Sequence, residues 1–376
     1  GNCYICLMKW HEKRLEQKLN QRKDQGILRQ LVEQKSGLID FMSNDYLGIV
    51  KNQLLVKLSD EYIPQGATGA RLLSGNTPWH VDFEASCAKF FKADAALYFN
   101  SGYDANIGLI SCIAGRNELI LYDEFCHASI LDGIRLSNAR AIKFKHNNIA
   151  NLRSLLEANK GTDSWIVVES VYSMDGDFAP LLEIVQLKKE YDCALIVDEA
   201  HSTGIWGQNG SGLCVEWGIE QEVTARLMTF GKAAGSHGAV VLGSTLLIEY
   251  LVNFARSFVF STAASPRHLA DLSAFFKLDM EDLRRSLFSN IEYFLSQAEN
   301  THLRIKCVRS PIQQIIFDDI EKLKITESNL IEVGIWTKAI YPPTVPQGKE
   351  QLRICLHSFN TFEEIDLLIK TVVNNG

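Results

Sequence analysis

Residues 193–201 read Cys193-Ala-Leu-Ile-Val-Asp-Glu-Ala-His201, and residues 229–232 read Thr229-Phe-Gly-Lys232. Ala194–Val197 is a short unbroken apolar run, the pattern of a parallel strand buried on both faces. It stops at Asp198, Glu199 and His201. Three ionisable groups at the mouth of a buried strand are costly unless something there engages them. A second apolar run, Ala225–Phe230, stops at Gly231-Lys232. An acid and a lysine at the ends of neighbouring strands suit pyridoxal phosphate: the carboxylate keeps the pyridinium nitrogen protonated and the lysine forms a Schiff base. Two plainer readings stand beside this one. A strand-end Asp that caps the next helix is commoner in general. Asp-Glu-Ala-His also occurs in nucleic-acid-dependent ATPases, but Gly231-Lys232 and Gly348-Lys349 lack the other residues of a phosphate-binding Gly-x-x-x-x-Gly-Lys-Ser/Thr loop.

Outward from this stretch, strand-like and helix-like segments alternate from about residue 80 to 245, which predicts an α/β domain with a mostly parallel sheet flanked by helices. The strands expected are Ala95–Phe99, Glu118–Tyr122, Trp165–Glu169, Ala194–Val197, Ala225–Phe230 and Ala239–Leu242, with helices such as Asp82–Phe91 and Leu181–Tyr191 between them. Past about Ser265 the pattern changes to a helical region, short strands at Gln313–Phe317 and Leu352–Leu356, and a helix from Phe362, a smaller α+β unit. The expected division is an N-terminal arm over 1–46, a large domain over 47–262 and a small domain over 263–376. The prolines of Ile340-Tyr-Pro-Pro-Thr-Val-Pro346 exclude regular structure throughout and predict a shaped loop.

Ligands of open α/β sheets bind beyond the carboxyl ends of the strands. Ala95–Phe99 runs into Asn100-Ser-Gly-Tyr103, so Gly102 and Tyr103 can offer amides at a helix N-terminus to a phosphate, or simply make a turn. His127 follows the next strand and either stacks on a planar ligand or caps a helix. Ser173, in Tyr172-Ser-Met-Asp-Gly-Asp177, either bonds a ligand or belongs to plain turn chemistry. Asp198, His201, Thr229 and Lys232 come next. Each signal is modest, but packing alone does not place them at consecutive strand ends.

Composition bounds the rest. The chain has 376 residues, 46% apolar and 22% charged, and a net charge of −7, which does not suggest a general nucleic-acid or anionic-membrane role. No apolar run reaches the roughly 18 residues of a membrane span. Segment 1–36 is locally basic, with eight Lys/Arg against four Asp/Glu. Its Trp10, Leu15, Leu19, Ile27 and Leu31 predict an amphipathic arm that packs on the main body or on a partner chain. Nine scattered cysteines form no framework; Cys3-x-x-Cys6 stands alone, and no metal site is expected. This pattern, and Gly1–Leu7 lacking the features of a signal peptide, place the expected protein in the cytoplasm, with Met8 a candidate natural start.

In family order the chain carries Ser43-Asn-Asp-Tyr-Leu-Gly48, Gly66-Ala-Thr-Gly-Ala-Arg-Leu-Leu-Ser-Gly75, Ser101-Gly-Tyr103, His127-Ala-Ser129, Ser173-Met-Asp-Gly-Asp177, Asp198-Glu-Ala-His-Ser-Thr-Gly204 and Thr229-Phe-Gly-Lys232. Together these resemble the α-oxoamine synthases, pyridoxal-phosphate enzymes of the aspartate-aminotransferase fold (type I), from about Trp10 to Leu368. The resemblance implies that Lys232 holds the cofactor and moves the Cα proton. It places Asp198 at the pyridine nitrogen, His201 at the ring oxygen and His127 over the ring. Gly102, Tyr103 and Thr229 would hold the phosphate, with Ser173 beside the ring. It gives Thr262 to the phosphate of a neighbouring subunit, and so implies a homodimer with shared sites. Arg353 and Asn44 would bind the amino-acid carboxylate, and Arg29 and Thr344 the acyl substrate.

Pro342-Pro-Thr-Val-Pro346 and Gln351-Leu-Arg353 look most like the biotin-pathway branch, which joins L-alanine to a pimeloyl-CoA-like thioester. The chain departs from that pattern at Tyr341, where Arg is frequent, at Ala70, where Ser is usual, and after Lys232, in Ala-Ala-Gly-Ser-His. Alternatives are a 2-amino-3-ketobutyrate CoA ligase, a serine palmitoyltransferase-like enzyme, an aminotransferase and a non-catalytic binding protein. Acyl-chain identity, and delivery on CoA or on a carrier protein, stay open.

Overall fold

The computed structural model describes every residue except 1–8, 26–27, 30, 32, 34–36, 56–61, 307, 343–344, 346–347 and 376. Its centre is a seven-stranded sheet: β1 (Ala95–Phe99), β2 (Leu119–Asp123), β3 (Arg140–Phe144), β4 (Ser164–Glu169), β5 (Ala194–Asp198), β6 (Ala225–Thr229) and β7 (Ala239–Gly243). The spatial order is β1-β7-β6-β5-β4-β2-β3. Only β7 runs against its neighbours in this sheet. The mostly parallel α/β expectation holds, and most strand ends agree within a residue. Alternate residues of one strand enter different cores: Val167 packs with Ile196 and Leu227, while Ile166 and Val168 pack with Leu195 and Val197. Burial on both faces explains why these strands read as continuous apolar runs.

β3 was not expected. Arg140 and Lys143 interrupt its apolar signal, and it lies at the sheet edge, where charged side chains discourage pairing with another chain. The helix expected at Asp82–Phe91 instead spans Pro78–Phe90, starting at a proline whose missing N–H matters least in the first turn.

The C-terminal region forms a four-stranded antiparallel sheet, β8 (Arg304–Ile305), β9 (Ile312–Ile316), β10 (Lys338–Ile340) and β11 (Gln351–Cys355), in the order β10-β11-β9-β8. Helices Glu281–Glu299, Ile320–Glu332 and Phe362–Asn375 accompany it. A parallel pair of two-residue strands, Ile39–Asp40 and Ile335–Trp336, ties the chain ahead of the large sheet to this region.

The amphipathic arm is a helix, Trp10–Asp24, but it does not pack on the body of this chain. Trp10, Leu15 and Leu19 are 75%, 61% and 55% exposed, and none of the helix is buried. Leu31 is exposed as well. Ile27 and the Cys3–Cys6 pair lie outside the described residues.

Candidate active site

The strand ends open into a cavity of about 270 Å³, whose lining includes Asn44, Gly102, Tyr103, His127, Asp198, His201, Thr229 and Lys232. Sequence order delivers them because parallel strands all end on one side of the sheet, and each loop adds one or two groups there.

Asp198 is the last residue of β5. Its Oδ1 accepts from the Ala200 amide (2.9 Å) and its Oδ2 from Asn106 Nδ2 (2.8 Å). The same Asn106 nitrogen donates to Ser129 Oγ (3.0 Å). That leaves the Ser129 hydroxyl proton for His127 Nδ1 (2.7 Å), which the Ser129 amide also approaches (3.2 Å). Two donors on Nδ1 place the ring proton of His127 on Nε2. His127 is therefore both a helix N-cap and a cavity wall, so the two readings from sequence are compatible. Burial lowers its pKa, the Asp198 charge raises it, and the Lys232 charge lowers it further.

Lys232 Nζ lies 2.9 Å from His201 Nε2. On its other side, His201 Nδ1 meets Tyr46 Oη (2.9 Å), whose hydroxyl donates to Asn44 Oδ1 (2.9 Å). With its proton committed to Asn44, the phenol accepts from His201 Nδ1–H. His201 Nε2 is then an acceptor aimed at the lysine. Burial, with the charges of Lys232, Arg353 and His127, holds His201 far below the usual histidine range, hence neutral. Burial brings the Lys232 ammonium down to about 8, although Asp198 and Glu169 pull the other way.

Asn44 carries the chain further: its Oδ1 accepts from Arg353 Nη2 (3.2 Å), and Arg353 Nε donates to the Ser173 carbonyl (2.9 Å). Arg353 thus stands behind Asn44 at the edge of the site. Ser173 supplies its backbone there rather than a hydroxyl to the cavity. Thr262 lies apart from the cavity, beside Arg71, Tyr98 and Asn100. Its carbonyl accepts from Asn100 Nδ2 (2.9 Å). Arg29 is exposed and also lies outside the cavity lining. Thr344 is outside the described residues.

Glu169, Asn106, Ser129 and Tyr46 were given no role from the sequence. Glu169 had a visible signal, because it ends an apolar strand just as Asp198 does. The two carboxylates are register partners on adjacent parallel strands. Burial, and then the Asp198 charge, push Glu169 up to about 8, and its Oε1 accepts the His127 amide (2.5 Å). Glu199 faces away from the cavity. It accepts from Ser202 Oγ (2.8 Å) and the Cys214 amide (3.1 Å), and it pairs with buried Arg226 (3.4 Å). Of the three ionisable groups at the end of β5, two serve the cavity and one holds the scaffold.

The donor set fits pyridoxal phosphate. Helix Gly102–Ile113 begins at the cavity with Ser101 as N-cap, and first-turn amides have no intrahelical acceptor. A Cβ on Gly102 would meet Thr229 Cγ2 at 2.8 Å, so glycine keeps that corner open. Asn106 Oδ1 is buried without a partner beside the acid. An anion cradle, a buried carboxylate and an amine of lowered pKa share one cavity.

Residues 36–372 match the family model for aminotransferases of class I and II, and the chain belongs to that family of pyridoxal-phosphate enzymes. Its relatives are more particular. The 8-amino-7-oxononanoate synthase of Geotalea daltonii is 39% identical over 89% of this chain and 87% of its own length. That of Emericella nidulans is 36% identical over 95% and 94%. Among solved structures, the serine palmitoyltransferase of Sphingomonas wittichii superposes with a TM-score of 0.86 at 26% identity, covering 98% of each chain. The 8-amino-7-oxononanoate synthase of Francisella tularensis gives 0.76 at 29%, covering 90% of this chain and 98% of its own.

Proposed function

We propose that this chain condenses L-alanine with a pimeloyl-CoA-like thioester, forming 8-amino-7-oxononanoate and releasing CoA and CO2. The observation that carries the reading is Lys232 in one cavity with Asp198, with Arg353 and Asn44 at its edge, in a chain 36–39% identical to synthases of that name.

Pyridoxal phosphate, when bound, supplies an electron sink for the bonds at the amino acid's Cα. The protein does the rest. Gly102, Tyr103 and Thr229 would hold its phosphate, and Asp198, fixed by Asn106 and Ala200, would keep its ring nitrogen protonated. His127 would cover the ring and His201 would face its oxygen. A lysine of pKa about 8 is partly free amine at neutral pH, so Lys232 would hold the cofactor and would serve as the base and acid for the Cα proton. Arg353 and Asn44 fix the carboxylate that leaves as CO2. Arg29 and Thr344 contact the acyl chain. Thr262 would reach the phosphate in the second subunit of a homodimer. The arm ends near residue 46 and the large domain near 262.

Release of CoA thiol from a panel of acyl thioesters with L-alanine, glycine or L-serine tests this. Alanine with a pimeloyl thioester is expected to turn over fastest; preference for serine with a long acyl chain would move the chain to the serine palmitoyltransferase branch, which the 0.86 superposition favours.

A further inference from the structure

Beside the cavity lies a cluster of charges to which the proposed chemistry gives no part. His146 follows β3. Its Nδ1 is 2.8 Å from Asp123 Oδ1, at the end of β2, and its Nε2 is 2.8 Å from Asp177 Oδ2. Its amide donates to Glu124 Oε1 (3.0 Å), Phe125 stacks on its ring at 4.4 Å, and Tyr172 meets it edge-on. A carboxylate at each ring nitrogen requires both to donate, which only the imidazolium can do. Burial works against that charge, but the two carboxylates prevail and raise its pKa to about 9.

Asp177 closes the turn that begins at Ser173. Lys306, just after β8, places Nζ 2.6 Å from Asp177 Oδ2 and 3.6 Å from Asp175. Two side chains of β11 also end on this turn: Arg353 Nε at the Ser173 carbonyl (2.9 Å) and Gln351 Nε2 at the Met174 carbonyl (3.2 Å). Gly176 has φ +71°, and a Cβ there would meet the Ile312 carbonyl oxygen at 2.2 Å, so the turn lies directly against β9. His146, Asp175 and Asp177 have the spacing of a cation site, but the Lys306 ammonium already supplies positive charge to both acids.

We propose that His146, as an imidazolium bridging Asp123 and Asp177, is a positioning residue: it fastens the turn Ser173–Asp177 to the large sheet, Lys306 fastens it from the small sheet, and the turn in turn aims Arg353. The consequence for substrate rests on the carboxylate-binding role given to Arg353 above. The charged and titratable groups around His146 are Asp123, Glu124, Tyr172, Asp175, Asp177 and Lys306, and the imidazolium is the member that loses its charge near pH 9.

Hydrogen–deuterium exchange of the holoenzyme tests the clasp without any substrate. His146→Gln is expected to speed exchange severalfold at residues 172–179 and 351–356 while leaving 194–198 unchanged. Lys306→Met should do the same more weakly, and Lys306→Arg should match wild type. In steady state, His146→Gln should raise KM for L-alanine about tenfold with kcat within about twofold. The wild-type KM should rise above about pH 9 by a component missing in the variant. Unchanged exchange in the turn for both His146→Gln and Lys306→Met overturns the proposal, as does acceleration spread evenly over the chain. If His146→Gln does not fold, the Lys306 pair decides. If exchange responds but no amino acid is turned over, the clasp stands and the function assigned to Arg353 falls.

Discussion

Lys232 is held where its charge is least welcome. Burial lowers its pKa from 10.5 to about 8, so the unfolded chain binds more protons than the folded one between those values. Stability of the cofactor-free protein therefore rises with pH across that window, and below it the full deficit remains. Lys232→Met should stabilise the cofactor-free protein by roughly 2 kcal/mol at pH 7, with a gain that shrinks toward pH 10, measurable by calorimetry, while abolishing turnover. Glu169 has the opposite sign: its raised pKa means its contribution is present below about 4.5 and is lost as pH rises toward 8. Asp198→Asn should slow turnover by roughly 10²–10³-fold with the fold intact, because a neutral amide no longer keeps the cofactor's ring nitrogen protonated and the electron sink weakens. Tyr46→Phe deletes the group that commits His201 to one tautomer. The expected result is a turnover loss of about tenfold and a changed imidazole ¹⁵N shift pattern in the cofactor-free protein; an unchanged pattern would remove Tyr46 from that role.

At the level of elements, the site was legible wherever one strand end carries one group. Asp198, Lys232, Thr229, His127 and the Gly102–Tyr103 turn could be placed from sequence, because continuous apolar runs mark buried strands and their abrupt polar ends mark the cavity. Asn106 and Ser129 escaped because each sits inside a helix, where a polar residue looks like an ordinary exposed position. Only the closeness of two helices makes them a bridge between His127 and Asp198. β3 escaped because edge strands carry charge. Arg226→Met leaves Glu199 buried and unpaired, and urea unfolding should show a loss of about 3–5 kcal/mol. Gly102→Ala, pressing on Thr229, should weaken pyridoxal phosphate binding by about tenfold while the urea midpoint barely moves.

In the whole molecule, the chain ahead of the large sheet and the chain behind it come together. Asn44 and Tyr46 precede the sheet, Arg353 follows it by more than a hundred residues, and hydrogen bonds through His201 join them to Lys232. No local pattern announces such a chain of contacts, and here the family resemblance, rather than periodicity, indicated Asn44 and Arg353. The role proposed for Thr262 would extend this joining to a second chain. If it serves a second subunit, a mixture of Lys232→Ala and Thr262→Val chains should at limiting cofactor be more active than the sum of the two alone, because one site of the mixed dimer is then whole. No excess would place Thr262 outside the shared site.

Asp198 and Glu199 are consecutive and both acidic, yet they point to opposite sides of one strand end. A slide of β5 by a single residue would preserve the acidity of that end while exchanging the two faces. The instrument would become ballast, and the ballast would be left in the cavity without its arginine. The alignment of this strand is therefore guarded by electrostatics on both sides at once, and a lineage can retune either acid's surroundings without disturbing the other.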